Sequence, residues 1–288
     1  MQNVLSDIAR NLKAHVTHLA HHIGERHLWR ADSLARAADY IESHLNKSGY
    51  TPVRQNYKAY GQTVFNIIAE KSGSRPETVV IGAHYDTVPG SPGADDNASA
   101  VAGLLELARL MSKSACRLNL IFAAFVNEES PAFGSDYMGS MQYAQHLKKQ
   151  KRDIRFMISL EMIGYFRKDR PQRYPVGLMR SFYPKTADFI AVVGDFKSAR
   201  HVHWLARCIQ RFGGLKTAAL AAPRHFGGID RSDQLAFWYH GFKAVMVTDT
   251  ANYRNPNYHR ETDTVDSLDF DMSARVVAGL FGALRQLR

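Results

Sequence analysis

Four short apolar runs, TVVIGA at 78–83, LNLIFAAFV at 118–126, RFMISLEMI at 155–163 and KAVMVTD at 243–249, dominate the chain. They alternate with stretches near 98–112, 135–149, 198–212 and 269–287 whose apolar residues recur every three or four positions. Continuous apolar runs of this length suit strands buried on both faces, and the alternation suits strand–helix crossovers. The pattern predicts an α/β fold, with one domain over 1–288 and a mixed, mostly parallel central β-sheet flanked by helices. No linker, repeat or low-complexity segment divides it.

Each run ends in polar residues. HYDTVPGSPGADDN at 84–97, carrying His84, Asp86, Asp95 and Asp96, follows the first, and Glu128 and Glu129 follow the second. Glu161 lies within the third, and NPNYHRETDT, carrying His259, follows the fourth. Open α/β sheets bind ligands at the carboxyl ends of their strands, so these residues converge if the sheet is parallel. Taken singly, Asp95 would cap a helix and the glutamate pair would be solvated. Taken together, several carboxylates at one sheet end repel one another, and a divalent cation offsets them. Histidine and carboxylate donors without thiolate suit zinc in a catalytic role and also admit cobalt or manganese.

At the N-terminus Leu5, Ile8, Leu12, Val16, Leu19 and Ile23 form one helical stripe that stops near Gly24, and a second helix is expected from Ser33 to Leu45. These helices, within 1–48, are expected to pack on a catalytic core over 50–288. His15, His18 and His22 share one flank of the first helix, and without interleaved carboxylates they read as a solvated edge. Two extended runs around AYGQ predict a hairpin between Val53 and Ala69 at a sheet edge. The basic, irregular stretch 167–187 reads as a surface excursion, and FWYHGF at 237–242 as core packing.

The net charge of +10 is dispersed, and its densest run, KKQKR at 148–152, suits the solvated end of a helix. Nucleic acid is therefore not an expected partner. No apolar run approaches the roughly 20 residues of a membrane span. The opening MQNVLSDIARNLKAHVTHLAHHIGERH lacks the apolar core of a secretory signal, so a cytoplasmic protein without membrane attachment is expected, or a secreted one whose signal has been removed. Cys116 and Cys208 read as buried thiols.

The motifs GAHYDT, GADDNASA, NEES followed by GS, LEMIGY, SDQLAFW and YRNPNYHRETDT, together with FNIIAE, stand in one order along nearly the whole chain. In that order they resemble the M28 family of zinc metallopeptidases. The resemblance implies the zinc-exopeptidase, phosphorylase/hydrolase-like fold, a peptide substrate and two zinc ions. By position, it makes His84, Asp96 and Glu161 ligands of one ion and Asp96, Glu129 and His259 ligands of the other. Asp96 rather than Asp95 is the bridge because it precedes NAS. Glu128 matches the general base, and Asp86 the residue that orients His84. The resemblance also implies a cis peptide at Asp96–Asn97.

Two departures stand out. Glu161 occupies a place where aspartate is familiar, and its extra methylene is expected to loosen the first metal. SDQ at 232–234 replaces the commoner SDH, removing a histidine near the substrate. An aminopeptidase is the leading reading. Three others remain: a glutaminyl-cyclase-like acyltransferase, a carboxyl-directed peptidase or dipeptidase using Arg231 or Arg260, and an inactive binding module. The cyclase would carry tryptophan where Tyr258 stands, and the binding module would not need the full ligand set.

Overall fold

The computed structural model describes residues 2–287; the two terminal residues of the 1–288 domain lie outside the described residues. Helix α1 (Gln2–Val16) runs into a wider π turn over Thr17–Ile23 and is followed by α2 (Ala31–Lys47). The hairpin pairs β1 (Val53–Ala59) with β2 (Gln62–Lys71). Its two turn residues, Tyr60 and Gly61, both take positive φ, which matches the twist that a two-residue hairpin turn needs.

The core continues through β3 (Thr78–His84), α3 (Ala100–Ser112), β4 (Asn119–Phe125), α4 (Gly139–Lys149) and β5 (Ile154–Glu161). A small separate ribbon, β6 (Arg167–Pro171) with β7 (Thr186–Ala187), brackets the basic stretch. Then come β8 (Phe189–Asp195), α5 (Ala199–Gly213), β9 (Lys216–Ala222), α6 (Gln234–Tyr239), β10 (Ala244–Thr248) and α7 (Phe270–Gln286). The main sheet has eight strands in the order β1-β2-β4-β3-β5-β10-β8-β9. Its central strands β4, β3, β5 and β10 are mutually parallel, while β2 and β8 run antiparallel to their inner neighbours. The chain is a single α/β domain with a mostly parallel mixed sheet.

The continuous apolar runs have a direct cause in this arrangement. In β4, Leu120, Phe122 and Ala124 face a core shared with α1, α2, α3, α5 and α7, whereas Ile121, Ala123 and Phe125 face a second core under α4 and α6. Alternate residues point to opposite faces, so a strand covered on both sides must be apolar at every position. Ile8 and Leu12 of α1 join the first core beside Val277 and Leu280 of α7, which seats the N-terminal helices on the sheet. Phe237 and Trp238 are buried in the second core, as expected of packing residues.

Three features depart from the sequence reading. Strands β8 and β9 were not among the apolar runs; β9 reads TAALAA after its first residue, and small alanines give little strand signal. His15 is not on a solvated edge: it is buried between α1 and α2, and its Nδ1 lies 2.8 Å from the Tyr40 hydroxyl. His18 stacks on the same ring at a centroid distance of 4.0 Å, so α2 covers part of that flank, while His22 stays exposed as expected. Cys208 is buried, but Cys116 is only half-buried. No described helix is long and apolar enough to cross a membrane.

Candidate metal centre

The four parallel strands β4, β3, β5 and β10 lie side by side, so their carboxyl ends meet along one edge of the sheet. His84 is the last residue of β3 and Glu161 the last of β5. Glu128 and Glu129 follow β4, Asp96 lies in the turn before α3, and His259 lies in the loop after β10. His84 Nε2 stands 3.4 Å from Asp96 Oδ1, 3.3 Å from Glu161 Oε2 and 3.9 Å from Glu128 Oε2. His259 Nε2 stands 3.1 Å from Asp96 Oδ2 and 3.3 Å from Glu129 Oε1. Asp96 thus presents one oxygen to each histidine.

Among the described residues, three groups of donor atoms come within 4.8 Å of one another: His84, Asp96 and Glu161; Asp96, Glu129 and His259; and His84, Glu128 and Glu129. The first two contain the same residues that the family resemblance pairs. The third gives Glu128 access to the same space. Backbone in the left-handed region aims several of these side chains: Asn127 precedes Glu128 at φ 59°, Met162 follows Glu161 at φ 49°, and His259 itself has φ 59°. Such residues cluster where tertiary contacts override local preference. The Asp96–Asn97 peptide is cis.

A shell of polar residues holds the donors. Asp86 Oδ1 lies 3.5 Å from His84 Nδ1, while its two oxygens accept the backbone N–H groups of Glu128 and Glu129 at 3.1 Å each. Asp95 is buried and accepts from Gly164 N–H at 2.9 Å and Asn255 Nδ2 at 2.7 Å, tying the Asp96 turn to two other loops. Glu161 is pinned despite its extra methylene: Ser232 donates to its Oε2 at 2.7 Å, and Asn97 Nδ2 lies 3.4 Å away. Gln234, in place of the familiar histidine, turns away and donates to Ile229 O at 2.8 Å.

Sequence reasoning missed several of these supports. Asp263 accepts the backbone N–H groups of Asp95 and Asp96, and its place in ETDT was the only available signal. Arg26 had no signal at all. It is fully buried and donates to the carbonyls of Leu19, Gly24, Tyr85, Pro92 and Gly93 over 2.7–3.0 Å, fastening the loop before Asp96 to the end of the first helix. Gly93 makes that loop possible, since at φ +58° a Cβ there would lie 2.2 Å from Asp96 O.

The electrostatics fit a cation. Burial raises the carboxyl of Glu128 well above its usual range; burial and then Asp96 raise Glu129 to about 7; burial raises Glu161 as well. Burial opposes charge on His84, but Glu128, Glu161, Asp86 and Asp96 outweigh it and hold the imidazole well above its ordinary value. His259 rises to about 10 because the hydrogen bonds it donates to Asp96 and Glu129 overcome its desolvation. A cluster that holds protons this tightly exchanges them for a metal ion on binding. Asp96 Oδ1 is buried with no hydrogen-bond partner, and a cation would satisfy it.

Two cavities meet at this edge. One contains Asp96, Glu128, Glu129 and His259; the other is apolar, with Met179, Phe189, Leu220 and Met246 among its walls. Glu161, Arg231 and Tyr258 line both. The stretch 167–187, read from sequence as a surface excursion, supplies Tyr174, Met179 and Tyr183 to the apolar wall.

Comparison with known proteins gives the family. The model of peptidase family M28 matches residues 66–282. The uncharacterised protein YfbL of Escherichia coli is 38% identical over 282 residues, covering 95% of this chain and 86% of its own length. Leucine aminopeptidase 1 of Ajellomyces capsulatus is 26% identical over 84% of this chain and 62% of its own. The zinc aminopeptidase BSAP of Bacillus subtilis superposes with a TM-score of 0.76 at 16% identity, covering 96% and 95% of the two chains. A glutaminyl cyclase of Bacteroides thetaiotaomicron shares the fold with a TM-score of 0.73 at 17% identity, covering 97% and 98%. The chain belongs to peptidase family M28, the zinc metallopeptidases that its motifs resemble.

Proposed function

We propose that the chain is a two-zinc aminopeptidase that hydrolyses the N-terminal bond of a peptide substrate. The observation that carries this reading is Asp96, whose two oxygens face two separate donor groups. A single catalytic zinc takes three protein ligands, and five donors exceed that need. In this reading His84, Asp96 and Glu161 hold one ion and Asp96, Glu129 and His259 the other; cobalt or manganese would substitute. When bound, the ions would lower the pKa of a shared water, polarise the scissile carbonyl and offset the charge that develops.

Glu128 is the general base, taking the proton of the attacking water and passing it to the leaving amine. Asp86 fixes Glu128 by holding its backbone N–H at 3.1 Å. The apolar cavity beside Glu161 and Tyr258 receives an apolar side chain next to the scissile bond. The name of the fungal relative supports the same substrate class. A cyclase shares the fold, so the fold alone does not choose the reaction; Tyr258, stacked on His259 at 3.8 Å, stands where a cyclase would carry tryptophan.

The test is hydrolysis of leucyl-anilide by the zinc-loaded chain, beside its N-acetylated form. Cleavage that falls at least about tenfold on acetylation supports an amino-end reader. Faster cleavage of the acetylated compound overturns it.

A further inference from the structure

Arg231 and Arg173 are the two guanidinium groups that line the apolar cavity, and they differ in one respect. Arg173 is engaged, donating to the carbonyls of Tyr253 and Asn252. Arg231 lines both this cavity and the one beside the metal ligands, and among the described residues its guanidinium has no hydrogen bond or ion pair. Its stem is nonetheless held. Gly228 leaves room for it, since a Cβ there would lie 3.2 Å from Arg231 Cδ, and the Arg231 backbone N–H donates to Gly228 O at 3.1 Å. Arg231 and Arg260, the other arginine near the site, are both exposed, but Arg260 lines neither cavity.

Charge balance indicates what Arg231 meets. The acids that line the metal-side cavity with it are Asp96, Glu128, Glu129 and Glu161. Two divalent cations would match those four carboxylates charge for charge, and the guanidinium would then stand over a neutralised centre with all its donors free. A planar guanidinium with free donors at a cavity mouth is suited to a carboxylate, which it binds through paired hydrogen bonds. Resting on the aminopeptidase reading, we infer that Arg231 is a specificity residue that anchors a substrate carboxylate beside the scissile bond. That carboxylate is either the free C-terminus of a dipeptide or an acidic side chain. The preferred substrates are then short and anionic rather than long or amidated peptides.

The experiment compares leucyl-leucine, leucyl-leucine amide and glutamyl-leucine amide. Binding is measured by calorimetry on zinc-loaded Glu128→Gln, which separates recognition from turnover, and kcat/KM is measured on the zinc-loaded native chain. If the C-terminus is the anchor, amidation weakens binding by at least about tenfold, the range of a lost charge-assisted contact. If a side chain is the anchor, glutamyl-leucine amide binds better than leucyl-leucine amide by a similar factor. In either case the preference collapses to near unity with Arg231→Gln, survives in part with Arg231→Lys, and is unmoved by Arg260→Ala. Equal binding of all three peptides, or a preference that Arg231→Gln leaves intact, overturns the inference. A binding preference without any turnover by the native chain would keep Arg231 in this role and remove the peptidase reading instead.

Discussion

Asp86 Oδ1 accepts the backbone N–H of Glu128 at 3.1 Å, although 42 residues separate the two in sequence. The other oxygen takes the N–H of Glu129, so one carboxylate fixes the turn that carries two functional glutamates and also stands beside His84. Asp86→Asn turns one acceptor into a donor facing an N–H. We expect kcat/KM to fall about 10–100-fold with the fold retained, the range for outer partners of metal ligands. Steady-state kinetics with circular dichroism check this, and unchanged kinetics would remove Asp86 from the site.

The two glutamates should separate by metal content. Glu128→Gln is expected to keep zinc and to lower kcat about 10²–10⁴-fold, as for loss of a general acid–base. Glu129→Gln should lose zinc. Because Glu128 also falls in a donor group with His84 and Glu129, zinc loss in both variants would make it a ligand instead.

Elemental analysis is expected to give two zinc ions per chain, and Asp96→Asn to lose both. Zinc should also raise the melting temperature, since free metal a hundredfold above its Kd stabilises the native state by about 2.7 kcal/mol. One ion per chain with no second site on titration would sink the bridged arrangement.

Arg26→Met would strip five carbonyls of their shared donor inside the protein. We expect a loss of more than about 3 kcal/mol in denaturant unfolding. Weaker zinc binding should accompany it, because the loop from Tyr85 to Gly93 leads directly to Asp96. A near-native midpoint would show that water replaces the guanidinium at no cost.

Acid should destabilise the N-terminal helices before it protonates surface carboxylates. Burial, and then the neighbouring His44, lower His15 from 6.5 to about 3. Between those values the unfolded chain binds a proton that the folded chain refuses, so stability is full above the unfolded value and falls as pH drops through the window. The slope from this one group is at most about 1.4 kcal/mol per pH unit. His15→Gln, which can still reach Tyr40, should flatten that slope in unfolding measured from pH 7 to pH 4. An unaltered slope would assign the acid sensitivity elsewhere.

How much of this was legible in the sequence depends on the range of the interaction. TVVIGA and LNLIFAAFV announced buried strands because a strand covered on both faces has no position for a polar residue, and that constraint is local. The order of polar motifs announced the family, and the carboxyl-end rule placed His84, Glu128, Glu129, Glu161 and His259 at one edge. Strand β9 stayed hidden, since alanines and a half-buried edge leave no periodic signal, whereas β8 is an apolar run buried at every position that the sequence reading left out.

What only the tertiary structure decided is how those donors are held. Arg26, Asp263 and Ser232 act on atoms 59 to 168 residues away. Their side chains look like any surface arginine, aspartate or serine until the chain closes over them. The same closure turned His15 from a flank residue into a buried one and left Arg231 unpaired where two cavities meet. Residue type and spacing set which strands form and which donors gather at their ends, because those depend on local burial. Which polar group ends up satisfied, buried or free depends on desolvation by distant segments, and that is a property of the folded chain alone.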